Sequence, residues 1–158
     1  MSDLDLGLRW LHILSATILF GTGLGTAFHF WMAHRSGDPR SIATVARNVV
    51  IADFLFTAPA AVVQPLSGLA LAWRTGIDPL SSWLVAAYLL YALAGACWLP
   101  VLRLQIRVRD LARDAVAADR PLAADYRRCV ALWFALGWPA FAAFLAIFWL
   151  MVAKPELW

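Results

Sequence analysis

The sequence predicts an all-α integral membrane protein, a bundle of four transmembrane helices with both termini on the outer side of the membrane. Three observations predict this fold class. Hydrophobic residues make up 63% of the 158 residues and charged residues only 15%, whereas a soluble domain averages about 25% charged residues. Four apolar stretches reach the ~20 residues that a membrane-spanning helix needs. Ten of the thirteen lysine and arginine residues lie on one side of these stretches.

The four spans are predicted at about residues 8–32, 49–73, 83–102 and 130–153, within a single transmembrane domain that covers residues 1–158. Asp3 and Asp5 precede the first span where a signal peptide would carry basic residues, so we expect a retained helix. After the third span, apolar residues interleave with charges over residues 103–128. We expect a helical extension of that span into water, followed by a turn at Arg120-Pro121.

The orientation follows from the basic residues. Three follow the first span and seven follow the third, namely Arg35, Arg40, Arg47, Arg103, Arg107, Arg109, Arg113, Arg120, Arg127 and Arg128. The other side carries Arg9, Arg74 and Lys154. Basic loops stay in the cytoplasm, so both termini are expected on the periplasmic side of a bacterial inner membrane. The net charge of +3 follows from this asymmetry, and we expect no nucleic-acid partner.

Two features of the first two spans allow close approach to the backbone. The second span carries Pro59, Gln64, Pro65, Ser67 and Gly68 near mid-membrane. Prolines leave helix carbonyls without a donor, so this segment either walls a cofactor pocket or forms a kink whose carbonyls neighbouring helices satisfy.

The first span carries a Gly-x-x-x-Gly pair, Gly21 and Gly25. This spacing lets another backbone come close. It is compatible with an internal contact, with the seam of a homodimer, or with a flat porphyrin lying against the helix.

Ionisable residues inside a span are functional candidates by default. His12 lies near the outer surface, His29 deeper toward the cytoplasm and His34 where the first span ends. No other span carries a histidine, so one chain cannot ligate haem with histidines from two facing helices. We expect His29 to pair with Asp53 of the second span, and His34 to be solvated.

His12 has candidate partners at the end of the fourth span, because four spans bring that end to the same side as the start of the first. A haem edge held between His12 and Met151 is chemically reasonable, since His/Met ligation occurs in cytochromes. Lys154 could pair with a haem propionate. In the alternative interpretation, His12 bonds to a backbone carbonyl, Met151 packs in the bundle and Lys154 reaches toward the interface.

Three motifs in order carry a family resemblance. They are Leu8-Arg9-Trp10-Leu11-His12-Ile13-Leu14 followed by Phe20-Gly21-Thr22-Gly23, then Pro59-Ala60 with Gly68-Leu69, and finally Val152-Ala153-Lys154-Pro155. Together they resemble a clan of small bacterial membrane proteins that includes the copper-resistance D-type proteins and the J-type protoporphyrinogen oxidase. Within it, the chain is identified as a member of the family called domain of unknown function 2269.

The resemblance to the J-type oxidase implies a haem b with His12 as an axial ligand, and it matches Lys154 to that family's terminal lysine. One stretch departs from the pattern. The J-type oxidases open their third span with Trp-Leu-His-x-Lys, whereas this chain reads Trp83-Leu84-Val85-Ala86-Ala87. Protoporphyrinogen oxidation is therefore not implied.

Three classes of function stay open at this point. The first is a b-type haem redox protein, a haem-dependent membrane oxidoreductase, that exchanges electrons with a quinol- or porphyrinogen-like donor or with a redox partner. Its expected site comprises His12 as metal ligand with Met151, Lys154 and Gly21 at the cofactor. The second is a copper-handling or transport protein, for which His29, Met32 and His34 are the only cluster of soft ligands. The third is a cofactor-free membrane subunit. The sequence does not identify catalytic residues.

Overall fold

The computed structural model describes residues 2–158, and all regular secondary structure in that range is helical. The elements are α1 (Asp3–Ser36), α2 (Pro39–Ala52), a π-helical turn (Asp53–Thr57), α3 (Ala58–Thr75), α4 (Ser82–Ala117) and α5 (Ala124–Ala153). The second, third and fourth of these elements run on without a break, so the described chain forms four long rods. Each rod is long and apolar enough to cross a membrane, which confirms the predicted all-α four-helix class.

The turn between α1 and α2 is shorter than the sequence suggested. Gly37 ends α1 in the left-handed conformation, with φ at 69°. The Asp38 carboxylate then accepts the backbone N–H groups of Arg40 and Ser41, and Pro39 is the first residue of α2. Hydropathy alone had placed Arg40 and Arg47 in a loop. An aspartate cap followed by proline is a strong helix start, and it extends the second rod to residue 39.

At one end of the molecule lie the turns 37–38 and 118–123, and we call this the basic end. Helix α4 runs through the polar segment as far as Ala117 before the chain turns, which confirms the predicted extension and the turn at Arg120-Pro121. Tyr126 is buried there, and its hydroxyl lies 2.9 Å from Nδ1 of His34. His34 itself is half-buried, so the expected solvation is only partial, because the start of α5 places the Tyr126 hydroxyl against its ring.

Both termini meet at the opposite end. The guanidinium of Arg74, at the end of α3, lies 2.5 Å from the Asp5 carboxylate near the start of α1. The hydroxyl of Ser82, at the start of α4, accepts the backbone N–H of Leu157 at 2.9 Å. The structure thus brings the two termini to one end of the bundle. The side of the membrane on which that end lies stays a prediction from the basic residues.

A pair of reporter fusions tests this prediction. A phosphatase that is active only in the periplasm should be active when fused after Trp158, because ten basic residues lie at the other end and basic loops stay in the cytoplasm. Fluorescence from a cytoplasm-only tag at the same position would reverse the orientation.

A neighbouring helix supplies the hydrogen bond that Pro65 removes from the second rod. Pro65 has no N–H to donate to the carbonyl of Ala61. The hydroxyl of Tyr91, on α4, donates to that carbonyl at 2.7 Å instead. The carbonyl of Ala61 therefore has a hydrogen-bond donor despite the proline. Gln64 and Ser67, the polar residues on either side of Pro65, lie beside α1.

Candidate functional site

The candidate site lies where α1 packs against α3, toward the end that carries the termini. Its centre is the half-buried imidazole of His12. Ser15, one helical turn further along α1, is buried on the same face. From α3 come Gln64, Ser67 and Gly68, which share one face because they are three and four residues apart. We call Ser15, His12, Gln64 and Ser67 the His12 cluster.

The Nδ1 atom of His12 is held by α3. It lies 3.2 Å from the backbone carbonyl oxygen of Gln64 and 3.0 Å from the hydroxyl of Ser67. A carbonyl oxygen can only accept a hydrogen bond, so Nδ1 carries the proton. The Ser67 hydroxyl donates to the carbonyl of Val63 at 2.8 Å and is free to accept from His12. In the neutral ring the lone pair is therefore on Nε2.

The side-chain amide of Gln64 covers that lone pair. Its Nε2 atom lies 3.2 Å from Nε2 of His12, so the amide donates to the ring. Its Oε1 atom accepts from the hydroxyl of Ser15. Every polar side chain of the His12 cluster thus has a partner inside an apolar bundle, where an unpaired group is costly.

The imidazole of His12 leaves no room for a side chain at position 68. A Cβ atom at Gly68 would lie 2.9 Å from Cε1 of His12, closer than carbon atoms pack. Absence of a side chain at this position lets α1 and α3 approach with the ring between them. The sequence marked Gln64, Ser67 and Gly68 as an irregular segment, and their shared face was the available signal that they meet one partner.

The arrangement suits metal ligation through Nε2. Histidine ligands of metals usually donate their other ring N–H to a carbonyl or carboxylate, which fixes the tautomer and the ring orientation. His12 has this arrangement at Nδ1. The side chain of Gln64 must move off Nε2 before that atom can bind a metal ion.

Two other residues predicted to bind a cofactor, Met151 and Lys154, lie at the end of α5, and the contacts of His12 described above do not include them. Met151 is half-buried near the end of α5. Lys154 is exposed just beyond that helix, and its Nζ lies 5.7 Å from the ring centroid of Trp83. A part for Met151 and Lys154 in cofactor binding stays a prediction.

Gly21 points away from His12. At about 100° per residue, the helix turns half a circle between these two positions. His12 contacts α3, whereas Gly21 is exposed and an added Cβ there would meet no atom within 4 Å. Gly21 and His12 thus lie on opposite faces of α1, and a part for Gly21 in cofactor binding stays a prediction.

The expected pair between His29 and Asp53 is also corrected. His29 is exposed on α1, whereas Asp53 is buried. The Asp53 carboxylate accepts hydrogen bonds from the Thr57 hydroxyl and the Gln105 amide instead. The neighbouring residue Phe30 is the one that faces the core, and His29 is rotated away from it by about 100°.

Comparison with protein families places nearly the whole chain in one family of membrane proteins. A family model described as "Predicted integral membrane protein (DUF2269)" matches residues 6–155. The chain belongs to the DUF2269 family. No curated protein and no solved structure matches this DUF2269 chain significantly. The more distant resemblance to the copper-resistance D-type proteins and the J-type oxidase is not shown by these comparisons.

Copper chemistry gains no support from the geometry of the DUF2269 chain. Within residues 2–158, no group of three or more histidine, cysteine, aspartate or glutamate side chains converges on one point. Cys97 and Cys129 are free thiols on α4 and α5. Of the predicted copper cluster, His29 and Met32 are exposed on α1, whereas His34 contacts the hydroxyl of Tyr126 on α5.

Proposed function

We propose that this DUF2269 protein is a b-type haem redox protein of the bacterial inner membrane, with Nε2 of His12 as an axial ligand of the iron. One observation supports this most: the Nδ1–H of His12 is fixed on the backbone carbonyl of Gln64. A carbonyl of the main chain cannot be protonated or swing away, so it fixes the ring in the tautomer whose lone pair is on Nε2, the atom that would bind the iron once the Gln64 amide has moved.

Gln64, Ser67 and Gly68 would each help to position His12 as a cofactor ligand. Gln64 contributes its carbonyl to Nδ1, and its side-chain amide, which donates to Nε2 in this structure, would have to swing away from that atom. Ser67 adds a second acceptor for the Nδ1–H. Gly68 leaves room for the ring between the helices. When bound, haem would supply one-electron exchange at a potential set by its axial ligands and its burial.

Met151 is the proposed second axial ligand and Lys154 the proposed partner of a haem propionate. Support for both comes from their position at the end of α5, where the termini meet. A thioether ligand would raise the reduction potential. A quinol- or porphyrinogen-like molecule is the proposed electron donor, in keeping with a site near one membrane surface.

The exposed Gly-x-x-x-Gly face of α1 is the proposed seam of a homodimer. Gly21 and Gly25 are exposed, and an added Cβ at either would meet no atom within 4 Å. This leaves room for the backbone of a second copy. The seam is separate from the His12 cluster, which lies on the opposite face of α1.

A visible absorption spectrum tests the proposed cofactor. Full-length protein, produced in cells supplied with a haem precursor and purified in detergent, should show a Soret band and sharp α and β bands after reduction. Neutralising Arg107 and Arg113, which are exposed on the extension of α4, should leave the spectrum intact. A folded, colourless protein would instead favour the cofactor-free subunit.

A further inference from the structure

A second polar cluster lies in the other half of the second rod. Asp53 opens the π-helical turn and is only 5% exposed. Its Oδ1 accepts the hydroxyl of Thr57 at 2.8 Å, and its Oδ2 accepts the amide of Gln105 at 2.7 Å. The Oε1 atom of Gln105 in turn faces the indole N–H of Trp133 at 3.5 Å. Three rods thus converge on one carboxyl group.

Asp53 lacks a cationic partner. Within residues 2–158, the ion pairs join Arg74 to Asp5 and Arg109 to Asp110. An isolated carboxylate in apolar surroundings is costly, and such a group avoids the cost by taking up a proton. Its two side-chain hydrogen-bond partners, Thr57 and Gln105, are neutral, so no ion pair within residues 2–158 balances a charge on Asp53.

The titratable and charged groups on the elements around Asp53 do not supply that balance. Those nearest along each element are His29 on α1, Arg47 on α2, Cys97, Arg103, Arg107 and Arg109 on α4, and Cys129 on α5. His29, Arg47, Arg103 and Arg107 are exposed. Arg109 is paired with its neighbour Asp110. The thiols of the two cysteines are free and neutral when protonated.

The hydrogen bonds around Asp53 can accommodate both the ionised and the protonated form of its carboxyl group. A hydroxyl both donates and accepts, so Thr57 can donate to an ionised Oδ1 and, after its O–H rotates, accept from a protonated one. Gln105 donates to Oδ2 in both forms. Its orientation is set by Trp133, whose indole N–H can only donate and therefore faces the oxygen of the amide.

A small cavity lies between this cluster and the basic end. It has a volume of about 10 Å³ and is lined by Phe30, Ala46, Val49, Gln105, Val108 and Trp133. Apart from Gln105, its lining is apolar. Ala46 and Val49 precede Asp53 on α2, so the cavity lies beside Gln105 on the side toward the basic end.

We propose that Asp53, with Thr57 and Gln105, is a proton-binding site within the membrane. The π-helical turn is a further sign of function, because π-bulges inside α-helices occur frequently at functional sites. A metal cation would need oxygen ligands around the carboxylate. Gln105 presents its N–H to Asp53, which favours a proton over a metal ion.

This inference is independent of the proposed haem function. At 1.5 Å per residue, Asp53 and Gln64 are separated by roughly 17 Å along the rod. The site is also formed entirely by residues outside the His12 cluster. Its test requires no haem and no activity.

Infrared difference spectroscopy of the purified full-length protein tests the proposal. Between acidic and alkaline buffers, the wild type should gain and lose the C=O stretch of a protonated carboxyl group, and this band should shift in D₂O. The nine other Asp and Glu side chains also give C=O bands when protonated, so the band of Asp53 is the component that the wild type has and Asp53→Asn, an isosteric change, lacks. It should persist in Asp114→Asn, which alters an exposed carboxylate of α4. Circular dichroism confirms that each variant is folded.

Two outcomes would overturn the proposal. One is a wild-type spectrum that matches that of Asp53→Asn at every pH at which both are folded. The other is a change that follows replacement of K⁺ by Na⁺ and not the pH, which would indicate a metal-cation site.

If Asp53→Asn does not fold, position 57 supplies the test. Thr57→Ser should titrate like the wild type. Thr57→Val, which lacks the hydroxyl, should shift the pH at which the band is lost. Identical titration of these two variants would contradict the proposed role of the hydroxyl and with it the site.

Discussion

Replacing Gly68 by alanine should destabilise the folded protein and displace the imidazole of His12. Alanine in a helix interior is normally more stable than glycine by about 0.5–1 kcal/mol. Here its Cβ would lie 2.9 Å from Cε1 of His12, and His12 is held in place by Gln64 and Ser67. Overpacking of this kind costs about 1–3 kcal/mol, so we expect a net loss of stability. Thermal unfolding in detergent measures the change.

The chain offers a matched control on α4. An added Cβ at Gly95 would meet no atom within 4 Å, so Gly95→Ala should be neutral or slightly stabilising. In a His12→Ala background the steric conflict at position 68 is gone, and Gly68→Ala should then behave like Gly95→Ala. An equal loss of stability from Gly68→Ala with and without the His12 ring would contradict the contact, because a shared contact makes the two changes non-additive.

The four rods could be predicted from the sequence because a bilayer leaves the backbone few choices. Each apolar segment must satisfy its own N–H and C=O groups, and a helix does so within the segment. The start of the second rod was missed for a related reason. Arg40 and Arg47 lower the hydropathy there, whereas the signal for the helix start lies in Asp38 and Pro39 and does not depend on hydropathy.

The composition of the two polar clusters was harder to predict. His12, Gln64 and Ser67 could be singled out because polar residues are rare in a span. That they meet depends on how α1 and α3 are rotated about their axes. The carbonyl of Gln64, which contacts His12, belongs to the backbone and has no signature in the sequence.

The same rotation explains the wrong partner chosen for Asp53. The depth of His29 in the membrane suggested the pair, but His29 lies on the exposed face of α1. Gln105 was overlooked because it lies among the arginines that follow the third span. In the structure, the helical extension of α4 buries Gln105 against Asp53.

Loss of haem from a single histidine variant is the largest functional effect that we expect. His12→Ala removes the proposed iron ligand and should lower the haem content of the purified protein to background. His34→Ala is the matched control, since it removes a histidine from the other end of the same helix, where the ring contacts only the hydroxyl of Tyr126 among the described hydrogen bonds. It should keep the wild-type spectrum. Met151→Leu should retain haem, shift the spectrum and lower the reduction potential, because it removes a thioether.

The haem content of His12→Ala, measured per folded chain beside the wild type and His34→Ala, tests the proposed site most directly. The account predicts haem in the wild type and in His34→Ala, and none in His12→Ala. Haem at wild-type occupancy in folded His12→Ala would contradict the assignment and turn attention to His29, on the exposed face of α1.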